Sequence, residues 1–263
     1  IRDRNKKINN STKIEDLAPL CRRLRLSGLY EQLECYSQDP STLEMSHLEW
    51  LNGLLAAEID RREGNALKRR LSEANIRHPD ACMTNIDFTT PRGLNKARLM
   101  ELGSCDWIRN HQNCIITGMT GCGKTWIAAA LANAACRQGL KVRFIRLPLF
   151  LKEFNARTQL EKDYVRELRE LRKYDLLVFD DWGIGQMDAV TRSDLLEIIE
   201  DRCGNGSIMI TSVLPVKVWA EYIKDATYAD SILDRLVSNA HRINMVGESM
   251  RKQERYGAIE QEA

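Results

Sequence analysis

Residues 118–125 read Gly-Met-Thr-Gly-Cys-Gly-Lys-Thr. An apolar run, Cys114-Ile-Ile-Thr, precedes them, and Trp126-Ile-Ala-Ala-Ala-Leu-Ala follows. Few folds accommodate that order. A short buried strand must end in glycines that allow a tight turn, and a helix must begin where the turn ends. Backbone N–H groups then point into the turn, and the helix dipole adds positive potential at the same place, which makes a seat for phosphate. The spacing of Gly118, Gly123, Lys124 and Thr125 fits G-x-x-x-x-G-K-[ST]. In that pattern the lysine reaches the β- and γ-phosphates and the hydroxyl ligates Mg²⁺. ATP and Mg²⁺ are therefore the expected cofactors, with nucleotide contacts from Gly118, Met119, Thr120, Gly121, Cys122, Gly123, Lys124, Thr125 and Trp126.

A second segment fits the same chemistry. Leu176-Leu-Val-Phe-Asp180-Asp181 is four apolar residues ending in two acids, as a buried parallel strand would be if it delivered carboxylates to its C-terminal end. Asp180 is expected to hold the metal together with Thr125, and Asp181 to orient or deprotonate a water. After His78-Pro79-Asp80 the chain alternates short apolar runs with amphipathic stretches, which predicts an α/β fold with a parallel sheet wrapped by helices. Strands are expected at 114–117, 142–147, 176–180, 208–212 and 242–245, and helices at 125–138, 149–156, 161–174, 190–203 and 216–223.

Upstream the pattern is helical. Leu17, Leu20, Leu24, Leu29 and Leu33 recur at helical spacing, then Leu48, Leu51, Leu55 and Ile59, then Leu67, Leu71 and Ala74. Pro40-Ser-Thr after Ser37-Gln-Asp suits a helix start. A helical domain over residues 1–79, with residues 1–13 polar and frayed, and an ATPase domain over 80–263 are expected. Net charge is +2, from 39 basic and 37 acidic residues, so any nucleic-acid surface must come from local clustering. Arg22, Arg23 and Arg25 form one such cluster. Arg61, Arg62, Lys68, Arg69 and Arg70, with Arg77 beyond, form another. These are the candidate contacts to DNA phosphates, independent of base sequence; a solvated charged face is the plainer alternative.

The 8 cysteines contain no C-x-x-C pair and the 4 histidines are scattered, so a zinc site is not expected and reduced thiols in a cytoplasmic protein are. No apolar run reaches the roughly 20 residues of a membrane span.

Several segments together resemble the IstB-type transposition helper ATPases, relatives of the helicase loader DnaC within the AAA+ class. They are Leu24-Arg-Leu-Ser-Gly-Leu, Arg92-Gly-Leu-Asn, the phosphate loop, residues 176–183, Ile210-Thr-Ser-Val-Leu-Pro, Ile232-Leu-Asp-Arg-Leu and Gly247-Glu-Ser-Met-Arg-Lys. The resemblance implies a five-stranded AAA+ sheet preceded by a small helical domain. It implies that Arg235 is an arginine finger entering a neighbouring subunit's site and that Arg251 is a sensor arginine within its own subunit. It makes Thr211-Ser212-Val213 the first sensor; Val213 stands where relatives commonly carry Asn and cannot hydrogen-bond, so either Thr211 or Ser212 carries that role or the sensor is weakened. The implied function is that of a bacterial, cytoplasmic, ATP-dependent helper that oligomerises on duplex DNA, remodels it and recruits a transposase. A DnaC-like loader and a nucleotide-stabilised clamp with negligible turnover are the alternatives.

Overall fold

The structure, a computed structural model, describes residues 13–158 and 160–250. The expected frayed start covers residues 1–13 and falls almost wholly outside them. The chain divides between Lys68 and Arg69 into two compact units.

The first unit is helical. It contains α1 (Ile14–Leu24), α2 (Ser27–Gln38), a 3₁₀ turn at Pro40–Glu44 and most of α3 (His47–Ala74). Pro40 takes the first position of its turn, and Asp39 accepts the Ser41 N–H at 2.9 Å. Proline suits that place because its missing N–H is not needed there. Glu58, although buried, is fully partnered. Its carboxylate accepts the N–H groups of Gly28 at 2.7 Å and Leu29 at 3.2 Å, at the start of α2, and Arg62 Nε at 2.6 Å. Leu48, Leu51, Leu55 and Ile59 lie on one face of α3 and are exposed.

The division falls inside α3, ahead of the break expected at residues 78–80. The last part of α3 packs within the second unit. Ala74 is fully buried there, Arg70 Nε donates to the Cys136 carbonyl at 3.0 Å, and Arg143 donates to the Glu73 carbonyl at 2.9 Å.

In the second unit α4 (Lys96–Gly103) and α5 (Asp106–Arg109) lead into an alternating series. It runs β1 (Asn113–Gly118), α6 (Lys124–Arg137), β2 (Val142–Arg146), α7 (Leu147–Arg157), α8 (Glu161–Arg172), β3 (Leu176–Trp182) and α9 (Ala189–Arg202). Then come β4 (Ser207–Ser212), α10 (Trp219–Ile223), α11 (Ala226–Val237) and β5 (Ala240–Met245). The five strands form one parallel sheet in the order β2-β3-β4-β1-β5. All five expected strands are present, shifted by a residue or two at their ends. The helix expected at 216–223 is a 3₁₀ turn followed by the short α10.

The sheet is covered on both sides, which is why its strands read as continuous apolar runs. Ile115, Leu177, Phe179, Ile208 and Ile210 alternate onto one face and meet Phe154, Leu195, Ile198, Ile232 and Leu236. Alanine-rich α6 lies along β1–β4. Three helices, α4, α5 and α11, had no counterpart in the sequence-based expectation. Asn95 caps α4 by accepting the Arg98 N–H at 3.0 Å, and Asp225 caps α11 by accepting the Tyr228 N–H at 3.1 Å. Because every strand is parallel, the C-terminal ends of β1, β3 and β4 form one rim, where α/β folds place their ligands.

Candidate nucleotide-binding site

At that rim the phosphate loop connects β1 to α6. Gly123 is the residue before α6 and has φ of 97°; a Cβ there would stand 2.8 Å from Arg92 Nη1. Gly121 has φ of 85°, and a Cβ would stand 2.1 Å from Ser249 Oγ. Both positions need glycine, for backbone conformation and for space. Lys124 is buried, and its ammonium donates to the carbonyls of Gly118 and Met119, each at 2.8 Å. These bonds fold the side chain back along the loop, with its charge beside the anion seat. Met119 and Thr120 are exposed on the loop, and Cys122 is buried beneath it.

Asp180 ends the buried run of β3 and is itself fully buried. Its Oδ1 accepts the hydroxyls of Thr125 at 2.9 Å and Thr211 at 2.5 Å, which joins the tips of β3 and β4 to the first turn of α6. Its Oδ2 accepts Arg77 Nη1 at 3.0 Å. A hydroxyl and a carboxylate beside a phosphate seat are hard oxygen donors of the kind Mg²⁺ takes with phosphate and water oxygens, so Thr125 and Asp180 fit the metal. Of the two candidate sensor hydroxyls, Thr211 faces this site. The Ser212 hydroxyl instead donates to the Trp182 carbonyl at 2.9 Å and accepts the Leu214 N–H at 3.0 Å.

Asp181 has φ of 67°, in the left-handed region that non-glycine residues seldom adopt, and the β3–β4 register shifts between Phe179 and Trp182. The irregularity turns its carboxylate off the strand line. Oδ2 lies 3.1 Å from Arg146 Nε and 3.7 Å from Arg77 Nη1. A local kink at the end of a strand is a common way to re-aim a functional side chain.

Beside the loop is a cleft of about 410 Å³ lined by His78, Asn85, Asp87, Arg92, Gly121, Gly123, Lys124, Thr125, Trp126 and Met250. The His78 and Trp126 rings are 5.5 Å apart. Arg92 is buried and donates to the carbonyls of Asp87 and Cys122, bridging the residues before α4 to the loop. Asp87 is held well below the usual carboxylate range by the Thr89 and Thr90 hydroxyls. The C-terminal Gly-Glu-Ser-Met segment reaches the same place, where the Met250 N–H donates to the Gly121 carbonyl at 3.0 Å. Arg251, the expected sensor arginine, lies outside the described residues.

Arg235 is elsewhere. It sits near the end of α11, where it pairs with Glu200 at 2.5 Å and donates to the Ser231 carbonyl at 2.8 Å. Asn113, the first residue of β1, donates to the backbone carbonyl of Arg235 at 2.9 Å. The loop leaves the other end of that strand. Of the basic clusters, Arg22, Arg23, Arg25, Arg62, Lys68 and Arg69 are exposed. Arg61 pairs with Glu31, Arg62 with Glu58 and Arg69 with Glu73, while Arg70 bonds the Cys136 carbonyl. Arg77, grouped by sequence with the second cluster, is on the Asp180–Asp181 pair instead. Sequence reasoning passed over Arg77, His78, Asp87, Arg92 and Arg146 as site residues. By sequence Arg77 stands with a basic cluster, His78 in the His78-Pro79-Asp80 break and Arg92 in Arg92-Gly-Leu-Asn, while Asp87 and Arg146 carry no such signal.

Comparison with known proteins agrees with this geometry. Residues 20–258 match the family described as IstB-like ATP binding protein. The insertion sequence ATP-binding protein y4pL of Sinorhizobium fredii is 41% identical over 240 residues, 90% of this chain and 97% of that protein. Among solved structures, the DnaC helicase loader superposes with a TM-score of 0.52 at 16% identity, covering 63% of this chain and 97% of that one. AMPPCP-bound DnaA from Aquifex aeolicus superposes with a TM-score of 0.52 at 17% identity, covering 67% of this chain and 54% of that one. These two structures share the fold, a AAA+ P-loop domain. No helix among the described residues is long and apolar enough to cross a membrane. The chain, with its phosphate loop and its Thr125–Asp180–Thr211 cluster, belongs to the IstB-like ATP-binding family.

Proposed function

We propose that this protein hydrolyses ATP at sites shared between subunits and uses the cycle to control an assembly on DNA that serves a transposase. The observation that carries the ATPase part is the Thr125–Asp180 contact of 2.9 Å beside Lys124. The loop amides and Lys124 bind the β- and γ-phosphates, and Thr125 and Asp180 hold Mg²⁺. That ion, when bound, neutralises charge on the phosphate oxygens. Asp181 orients the attacking water and receives its proton. Thr211 fixes the Asp180 carboxylate, so the first-sensor role rests on its hydroxyl despite Val213.

The position of Arg235 supports completion of the site by a second subunit. Its backbone is tied to Asn113, and β1 runs from there to Gly118, a rise of about 16 Å at ~3.3 Å per residue. An arginine there is poorly placed for its own loop, and on giving up its pair with Glu200 it could serve a neighbour's. Such a residue stabilises the charge developing on the transferred phosphoryl group. Homo-oligomers with ATP between subunits follow.

The transposase partner follows from kinship with a protein named for an insertion sequence. The exposed arginines at 22, 23 and 25 suit backbone contacts to duplex DNA. The exposed apolar face of α3 suits protein docking. A helicase loader is the second reading, favoured by the fold shared with DnaC. Steady-state hydrolysis with and without DNA, with Lys124→Ala as control, tests the ATPase. DNA-stimulated turnover lost in the variant is expected, and equal slow turnover in both would favour a nucleotide-stabilised clamp. Capture of the transposase and not the replicative helicase distinguishes the two partners.

A further inference from the structure

Two acids and two arginines meet at the end of β3. Arg77 Nη1 lies 3.0 Å from Asp180 Oδ2 and 3.7 Å from Asp181 Oδ2, and Arg146 Nε lies 3.1 Å from the same Asp181 oxygen. Asp180 is fully buried, and a buried carboxylate is strongly disfavoured unless partnered by a cation. Two hydroxyls occupy its Oδ1, and Arg77 is the guanidinium that contacts its Oδ2. Arg77 is also well situated to leave. Its side chain is 46% exposed, whereas that of Asp180 is 0% exposed. It stands three residues beyond α3, in the stretch that follows Asn75, which has φ of 51°, and next to His78 on the wall of the cleft.

We propose that Arg77 is a built-in counter-cation that competes with Mg²⁺ for the Asp180–Asp181 pair, so that magnesium binding releases the Arg77–His78 segment from the site. The proposal rests on the reading that Asp180 holds the metal. The charges argue for competition. Two carboxylates facing two guanidinium groups are already neutral, and a divalent ion added to them would meet two like charges at close range. One guanidinium must give way, and Arg77, the only one of the two that touches Asp180, is the one displaced. The metal seat then has two settings. In one, Arg77 holds Asp180 and keeps residues 77 and 78 against the cleft. In the other, the metal holds Asp180 and that segment is freed.

The test is a Mn²⁺ titration of the full chain without added nucleotide, followed by electron paramagnetic resonance, for the parent, Arg77→Gln, Arg77→Lys and Asp180→Asn. Removing the competing cation should tighten Mn²⁺ binding by roughly tenfold in Arg77→Gln. Arg77→Lys keeps the charge but loses the two-pronged guanidinium, and should tighten it less. Asp180→Asn should lose binding. If Arg77→Gln binds Mn²⁺ no more tightly than the parent while Asp180→Asn loses it, the competition is refuted and the metal assignment stands. If Asp180→Asn binds as the parent does, the metal assignment itself fails.

Melting temperature supplies a second readout if Arg77→Gln folds poorly. Millimolar Mg²⁺ should raise the melting temperature of Arg77→Gln more than that of the parent, because the metal replaces the missing cation. An equal or smaller rise contradicts the proposal.

Discussion

The Thr211 hydroxyl, at the tip of β4, donates to the buried Asp180 carboxylate at the tip of β3 at 2.5 Å. The same hydroxyl accepts the Asp181 N–H at 3.3 Å, so one side chain fixes both acids. Thr211→Val keeps the shape and removes the hydroxyl. It should cost about 1.5–3 kcal/mol of stability, the usual worth of a hydrogen bond to a charged group. Hydrolysis should fall at least tenfold with ATP affinity changed far less, since the loop is intact. Chemical denaturation and single-turnover hydrolysis check both parts.

Gly123 stands where any Cβ would press on Arg92 from a backbone with φ of 97°. Gly123→Ala should destabilise the protein by roughly 1–3 kcal/mol, from the left-handed backbone and the crowding together. Nucleotide affinity should fall with it, because the strain sits among the amides that face phosphate. Thermal melting and titration with a fluorescent ATP analogue measure the two effects. Wild-type affinity in this variant would show that the loop has slack.

Glu58 links α3 to the start of α2 through the N–H groups of Gly28 and Leu29. Burial raises its pKa, but the bonds from Arg62, Leu29 and Gly28 outweigh burial and leave it below the ordinary value. A carboxylate depressed in the folded state stabilises above its unfolded pKa, about 4.3. That contribution is lost as pH falls through the folded value. Glu58→Gln should therefore cost about 2–3 kcal/mol near neutrality, and the difference from the parent should shrink as pH drops below about 4. Hydrogen exchange at the Gly28 and Leu29 amides reports the loss locally.

Legibility in the sequence followed the range of the interactions. The phosphate loop was plain because its requirements lie within eight consecutive residues. Asp180 was plain because a parallel strand buried on both faces leaves an unbroken apolar run that stops at the acids. Thr211 could not be separated from Ser212, since strand alternation sends neighbours to opposite faces and only the register with β3 decides which faces Asp180. By sequence Arg77 extends a basic cluster, but its partner is 103 residues away and packing alone joins them. The boundary between units was hidden because α3 runs through it without a break in helical periodicity. The helices capped by Asn95 and Asp225 carry visible start signals, and in the second of them Ala229, Ile232 and Leu236 recur at helical spacing, so both were legible in the sequence.

If one subunit's loop is completed by another subunit's Arg235, two proteins that are each inactive should complement one another when mixed. Lys124→Ala should fail because its own loop cannot hold the phosphates, and Arg235→Ala should bind ATP normally and fail because its neighbour's charge is unmet. Combined with DNA and ATP, the pair should regain turnover, since an intact loop from Arg235→Ala can meet an intact arginine from Lys124→Ala. A mixture as inactive as its parts, or normal turnover by Arg235→Ala alone, would contradict the shared site.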